Sequence, residues 1–431
     1  MLIVYLLLVV LPLAQHPLLA GAGDEFSAFK YLGFGAFLYA TYYLCAVRTL
    51  RFCFLSHWQV RLFLPFFLIA IISAITHSYR ASVAPLLSLL SFLIFFFVVA
   101  VVIDSLQRLR WLLITIGISV AFASLYVVKE WQLYHALYAG FRPGWITGDS
   151  NYFAVSAIQC LPIAYFQMID RRPRWERCFW MGSFLVTLVA VTLAASRGGL
   201  MGMIAAFLFV VWHSGRRFKN LILTVALLMP VTILLPSSPL DRLLHPGYGD
   251  EQATEKRTVV WRAGLRMIQR HPIAGIGLGN FKPQVVSYEM EDENVVNLAH
   301  NAYIEVCAEL GIPGLMLFVG VLVATYVSLR KVRQCAAESG PRLVDRMALG
   351  MQASLVGTAI AIFFCPGTYQ KSLWLLVATS LALPALVSAY RARQLRRYSC
   401  AEEDSTTEPK HMGSPEQQAS VEQALVVDGH R

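Results

Sequence analysis

Long apolar runs separated by short polar loops dominate this chain. A run of roughly 17–25 residues crosses a ~30 Å hydrocarbon core. About twelve such runs occur, near residues 3–20, 31–47, 62–77, 85–103, 111–128, 152–169, 178–195, 198–213, 219–235, 308–329, 347–364 and 373–390. The seventh and eighth are divided only by the turn around Ala195-Ser196-Arg197-Gly198-Gly199. The rhythm breaks once on a large scale, over residues 236–299, and fades after Tyr390. A lipid-exposed backbone must satisfy its own hydrogen bonds, so the runs predict helices. The expected architecture is an all-α polytopic membrane protein with about twelve transmembrane helices. Residues 1–235 hold helices one to nine and 236–299 one large loop; 300–390 hold the last three helices and 391–431 a disordered tail.

Composition agrees with this pattern: 57% of residues are hydrophobic and 14% charged, with a mean hydropathy of +0.57. Soluble domains carry about 25% charged residues. The net charge of +10 would suit a nucleic-acid binder, but the basic residues stand in short clusters between apolar runs. That distribution is a topology signal, and no nucleic-acid partner is expected. One set of short loops holds Arg48, Arg51 and Arg61; Arg108 and Arg110; Arg171, Arg172, Arg174 and Arg177; Arg216, Arg217 and Lys219; and Arg330, Lys331, Arg333, Arg342 and Arg346. The opposite loops offer only Lys30, Arg80, Lys129, Arg142, Arg197 and Lys371. The positive-inside rule places the first set and both termini in the cytoplasm, and the large loop outside. No basic residue precedes Lys30, so the first run reads as a retained helix rather than a signal peptide. Arg391, Arg393, Arg396 and Arg397 form a juxtamembrane anchor for membrane lipids. The eight cysteines form no C-x-x-C pair, and Cys45, Cys160 and Cys307 read as buried thiols.

Four polar stretches gather on the outer side. Residues 141–152 mix turn residues with Arg142, Trp145, Asp149 and Asn151, a set suited to sugar hydroxyls and rings, or simply to capping a helix. Ser196-Arg197-Gly198-Gly199 puts an arginine at a helix start in a very short turn. It suits a phosphate, or a guanidinium reaching to lipid headgroups. Residues 255–270 of the large loop read as an amphipathic helix lying on an interface. Val260, Trp261, Leu265 and Ile268 form its apolar side, and Arg262, Arg266 and Arg270 recur every four residues behind Arg257. The Gly275-Ile-Gly-Leu-Gly279 run lacks dinucleotide-loop spacing and reads as a structural turn. Glu289, Glu291, Asp292 and Glu293 read as a solvated acidic loop, and no metal constellation is found.

The fourth stretch is His300-Asn301, nine residues, then Gly311-Ile312-Pro313-Gly314, where the loop re-enters the membrane. Read as a helix, it puts His300, Tyr303, Ile304 and Cys307 on one face and Glu305 and Glu309 on the other. Whether these two carboxylates contact substrate or face loop and solvent stays open. An ionisable group at a membrane boundary is costly and raises a functional question; the plainer reading is a histidine capping a helix.

The His-Asn-x9-Gly-x-x-Gly segment resembles the bacterial O-antigen ligases and the related polymerase superfamily, as do the Ser196-Arg197-Gly198 turn and Arg257-x-x-x-Trp261. The resemblance covers residues 140–330 by motif and the rest by topology. It implies a GT-C-like membrane glycosyltransferase that needs neither metal nor cofactor. The donor would be an undecaprenyl-diphosphate-linked glycan and the acceptor lipid A–core oligosaccharide, joined at the periplasmic face of the inner membrane. Carried over by motif, His300 is the general base, and Arg197 and Arg257 hold the diphosphate. Arg262, Arg266, Arg142, Asp149, Asn151, Asn301 and Tyr303 are further substrate-binding candidates. A glycan polymerase and a protein O-oligosaccharyltransferase share the donor and stay open as alternatives. A polysaccharide or lipid transporter would place polar groups along mid-membrane pathways. Here they gather at the outer face.

Overall fold

The computed structural model describes residues 2, 4–6, 28–46, 54–77, 79–138, 141–145, 149–170, 172–213, 222, 248–289, 298–339, 342–365 and 367–407. Those residues contain helices and turns but no strand. The principal helices are α1 (Ala28–Ala46), α2 (Trp58–Thr76), α3 (Tyr79–Val102), α4 (Leu106–Tyr134), α5 (Ser150–Ile158), α6 (Cys160–Ile169), α7 (Arg174–Leu193), α8 (Arg197–His213), α9 (Tyr248–Arg270), α10 (Phe281–Gln284), α11 (Ala302–Ser339), α12 (Arg342–Ala361) and α13 (Lys371–Thr407). Seven stretches are long and apolar enough to cross a membrane, α5 and α6 counting as one. Helices α1, α8 and α12 coincide with three more of the apolar runs. The runs at 3–20 and 219–235 fall almost wholly outside the described residues.

Two compact units are present, Met1–Val387 and Ser388–Arg431. Helix α13 continues to Thr407, past the tail boundary drawn at Tyr390. The run Arg391-Ala-Arg-Gln-Leu-Arg-Arg is made of strong helix formers, so the helix propagates through it.

Lipid tails are as apolar as leucine, so these helices associate through close packing rather than water exclusion. Helices α8 and α12 cross at Gly202 and Gly357, where a Cβ on either would sit 2.6 Å from the other's carbonyl oxygen. The crossing pins the start of α8, and with it Arg197. Trp374 anchors α13, its ring 5.0 Å from Phe63, 5.5 Å from Phe92 and 6.1 Å from Phe318. Helix α5 breaks into α6 because Pro162 has no N–H for the carbonyl of Ile158. The Ser354 hydroxyl donates to the nearby Gln159 carbonyl at 2.6 Å.

Charge sorts to one end of the bundle. Buried Glu176 accepts from Arg110 and, at 2.8 Å, from Arg172. Arg346 pairs with Asp170 at 2.6 Å and Arg333 with Asp345 at 3.1 Å. These residues belong to the basic loops, and the other end carries residues 141–145, 149, 195–197, 257 and 300. Cys45, next to the last residue of α1, is exposed rather than buried as expected.

The large loop is folded onto the bundle. Helix α9 packs Val260, Ala263 and Met267 against Ile276, Phe281, Val285, Ala299 and Ala308. Its apolar side is therefore covered by protein rather than laid on an interface, and Leu265 points outward at 51% exposure. Val260, Ala263 and Met267 recur at spacings of three and four, the true inward stripe. The acidic cluster lies outside the described residues except for Glu289.

The glycine run is the other half of this dock. Helix α11 is broken at Gly311 (φ 71°, ψ −178°), ahead of Pro313. Pro313 cannot donate to the Glu309 carbonyl, which accepts instead from Gly277 N–H at 3.1 Å. Ala308 accepts from Ile276 at 2.8 Å, while Ile312 N–H turns outward to the Pro272 carbonyl at 2.8 Å. Leu278 N–H donates to Ser73 Oγ at 2.9 Å, and Ser82 Oγ donates to the Leu278 carbonyl at 2.7 Å. The loop thus completes backbone bonds that the break leaves open. A Cβ on Gly311 would meet the Ile273 carbonyl oxygen, in a conformation L-residues rarely adopt. Gly311→Ala is expected to cost at least ~1–3 kcal/mol and to lower the melting temperature of the detergent-solubilised protein. Gly320→Ala is the control, because a Cβ there meets Leu62 at an ordinary 3.4 Å. Equal melting temperatures for the two variants would refute this account of the break.

Candidate active site

Among the described residues, three other than glycine have positive φ, namely Trp145 (61°), Ala195 (48°) and His300 (46°). Each lies in one of the polar outer stretches. Such conformations persist only where surrounding contacts over-determine them, and they concentrate at functional sites.

The contacts are identifiable. Asp149 is the N-cap of α5, its Oδ1 accepting from Asn151 N–H at 2.7 Å and Tyr152 N–H at 3.4 Å. Ser196 caps α8, its Oγ accepting from Gly199 N–H at 3.1 Å and donating to Asn151 Oδ1 at 2.8 Å. Arg142 donates to the Ala194 carbonyl at 3.2 Å and to Asn151 Oδ1 at 3.3 Å. Residues 141–152 and 194–199 are therefore stitched together, with Arg197 at the first position of α8.

His300 is held from three sides. Trp261 Nε1 donates to the Ala299 carbonyl at 2.6 Å, Ala302 N–H donates to the Ile362 carbonyl at 3.0 Å, and Asn301 Oδ1 caps α11 through Tyr303 and Ile304 N–H at 3.0 and 3.1 Å. His300 precedes the helix instead of sharing its face with Tyr303 and Cys307 as expected, because Asn301 takes the cap and the left-handed turn swings the ring away. Trp261 lies one turn beyond Arg257 on α9, so docking the tryptophan also presents the arginine.

Electrostatics shows what meets there. Burial lowers the Arg257 pKa, and the Arg197 guanidinium lowers it further while Asp149 opposes. Burial lowers the His300 pKa below the usual 6.5, and the Arg257 charge adds to it, again against Asp149. Arg197, Arg257, Asp149 and His300 thus share one field. A buried cation beside a second positive charge is a favourable place for an anion. Both effects on His300 favour the neutral imidazole. Its Nδ1 is buried without a hydrogen-bond partner among the described residues.

Other candidates stand differently. Arg262 is exposed, and Arg266 Nη1 donates to the Tyr288 carbonyl at 2.9 Å. They sit five and nine residues beyond Arg257, on other faces of the helix. Tyr303 Oη donates to the Ala359 carbonyl at 2.7 Å, into the bundle. Glu305 and Glu309 are buried rather than loop-facing. Glu309 accepts from Phe281 N–H at 3.3 Å and Tyr369 Oη at 3.0 Å, because the docked loop closes over that face. Among the described residues, no group of three or more histidine, cysteine or carboxylate side chains is placed to hold a metal.

Residues 182–319, a segment running from α7 to α11, match the family model described as O-antigen ligase. Over this segment, about a third of its length, the chain is similar to the O-antigen ligases. No curated protein matches it. The matched segment contains Arg197, Arg257, His300 and the Gly311 break, whereas Arg142, Asp149 and Asn151 precede it. The match, together with seven apolar helices among the described residues, supports a multi-pass membrane protein with glycosyltransferase activity of the O-antigen ligase type.

Proposed function

We propose that this chain transfers an undecaprenyl-diphosphate-linked glycan to lipid A–core oligosaccharide at the periplasmic face of the inner membrane, by metal-independent, inverting displacement. Its termini face the cytoplasm. The observation that carries this reading is the convergence of Arg197 and the buried Arg257 with His300, whose charged form is disfavoured by burial and by Arg257. A sugar hydroxyl is a poor nucleophile, and a neutral imidazole removes its proton as the bond to the anomeric carbon forms. The carbon–oxygen bond to the diphosphate breaks in the same step. The charge gained by the leaving group is met by Arg197 and Arg257, which stabilise the transition state more than the ground state. Direct attack from the opposite side inverts the anomeric centre. Asn301 and Trp261 position the base, and Arg142, Asp149 and Asn151 form the wall nearest the sugar.

Full-length protein in lipid nanodiscs, given polyprenyl-diphosphate glycan with lipid A–core, a second lipid-linked glycan or an exported protein, is expected to glycosylate lipid A–core. Elongation of the lipid-linked glycan alone would replace the ligase reading with a polymerase.

The same assay across pH tests the base. The acid limb of kcat/KM is expected below the ordinary histidine range near 6.5, because burial and Arg257 both disfavour the imidazolium. Arg257→Gln removes one of those causes, so the limb of the residual activity moves up. A limb that stays put in the variant would show that Arg257 does not act on the titrating group.

A further inference from the structure

A cavity of roughly 270 Å³ lies on the far side of α5 from Arg197. Helix α5 turns Ala154 and Ile158 toward α8, where a Cβ on Gly199 would meet Ala154 at 2.7 Å and one on Gly202 would meet Ile158 at 2.8 Å. Its opposite face, with Ser156 and Ala157, lines the cavity. The remaining walls are mostly apolar, with Ile116, Val120 and Ala123 of α4, Ile163 of α6 and Leu375 of α13, interrupted by Ser119, Gln159 and Thr379. Tyr152 at the top and Ile163 toward the bottom are eleven residues apart along α5 and α6, about 16 Å at 1.5 Å per residue. That is close to one leaflet of a ~30 Å hydrocarbon core.

The charged residue of the lining stands at the end near residues 141–145. Lys371, Ser372, Gln370 and Ser156 line it, beneath the ring of Trp145. Gln370 is 7% exposed. Its Nε2 donates to the Tyr152 carbonyl at 2.9 Å and to Ser156 Oγ at 3.4 Å, which fixes the amide orientation and turns Oε1 away. That Oε1 is buried with no partner, an acceptor waiting for a donor. A slot with a cation and an orphan acceptor at its head and mostly apolar walls below matches an amphipathic molecule, not water.

We propose that this cavity binds one phospholipid of the loop-side leaflet with an anionic, hydroxyl-bearing headgroup. One acyl chain descends between α4, α5–α6 and α13, the phosphate meets Lys371, and a headgroup hydroxyl donates to Gln370 Oε1. The site is distinct from the transfer centre, since α5 stands between them.

The test is native mass spectrometry of the full chain in detergent, titrated with phosphatidylglycerol or phosphatidylcholine. One phosphatidylglycerol is expected to be retained in preference to phosphatidylcholine. Lys371→Gln should weaken its retention roughly 10–100-fold, as for loss of a charge-assisted hydrogen bond. Ala157→Phe fills the slot and should abolish binding; Lys371→Gln leaves the walls intact and decides the matter if Ala157→Phe misfolds. Arg197→Ala should leave retention unchanged, so the proposal stands or falls separately from the transfer reaction. Equal binding of the two lipids, or a Lys371→Gln variant that binds like wild type, would overturn it. So would a co-purifying polyprenyl diphosphate that Ala157→Phe displaces, because the cavity would then belong to the donor.

Discussion

His300→Ala is expected to reduce glycan transfer by about 10²–10⁴-fold, the usual contribution of a positioned general base, while the protein still reaches the membrane at wild-type level. The distinction matters because His300 also occupies a left-handed backbone conformation, with φ at 46°. Alanine tolerates that region poorly, so a loss of activity alone would mix strain with chemistry. Asparagine tolerates it well and carries no basic nitrogen. His300→Asn should therefore be as inactive as His300→Ala yet melt close to wild type. In cells, either variant should accumulate lipid-linked glycan and lose the finished conjugate. An asparagine variant with wild-type transfer would remove His300 from the chemistry and leave it as a turn residue.

The spans were legible because lipid imposes a length and a composition that few other environments demand. The outer stretches were legible for the converse reason: Arg197 and His300 stand out against apolar neighbours whatever the fold. What stayed hidden depends on contacts between distant segments. The pattern of residues 255–270 marks an amphipathic helix, but only the docked glycine loop decides that Ala263 and Met267 face inward and Leu265 outward. Glu305 and Glu309 looked like a polar face until that loop covered them. The helix-wheel placement of His300 failed because it assumed a helix through residue 300, whereas Asn301 caps one that begins at Ala302. Trp261 was first read as part of an apolar stripe. Its spacing of four from Arg257 was the available sign that one helical face carries both an anchor and a charge.

Arg197→Ala and Arg257→Ala should each lower transfer by about 10²–10³-fold, as for removal of one donor to a developing anion. Lysine at either position should recover only part of the loss, because an ammonium keeps the charge without the two-pronged donor geometry. The double variant should fall short of the product of the singles, since both groups hold one diphosphate. Stability supplies the sharper test. Arg257 is disfavoured by burial and by the Arg197 charge, and Asp149 is one negative charge set against two positive. An arginine placed to hold the fold together would cost stability when neutralised. One held beside another cation to await an anion should cost none, since its removal relieves repulsion. Arg257→Gln is therefore expected to melt at or above wild type while transfer collapses, and added polyprenyl diphosphate should raise the melting temperature of wild type more than that of the variant. A variant that melts well below wild type, and gains as much from the lipid, would make Arg257 a structural residue and leave the leaving-group charge to Arg197.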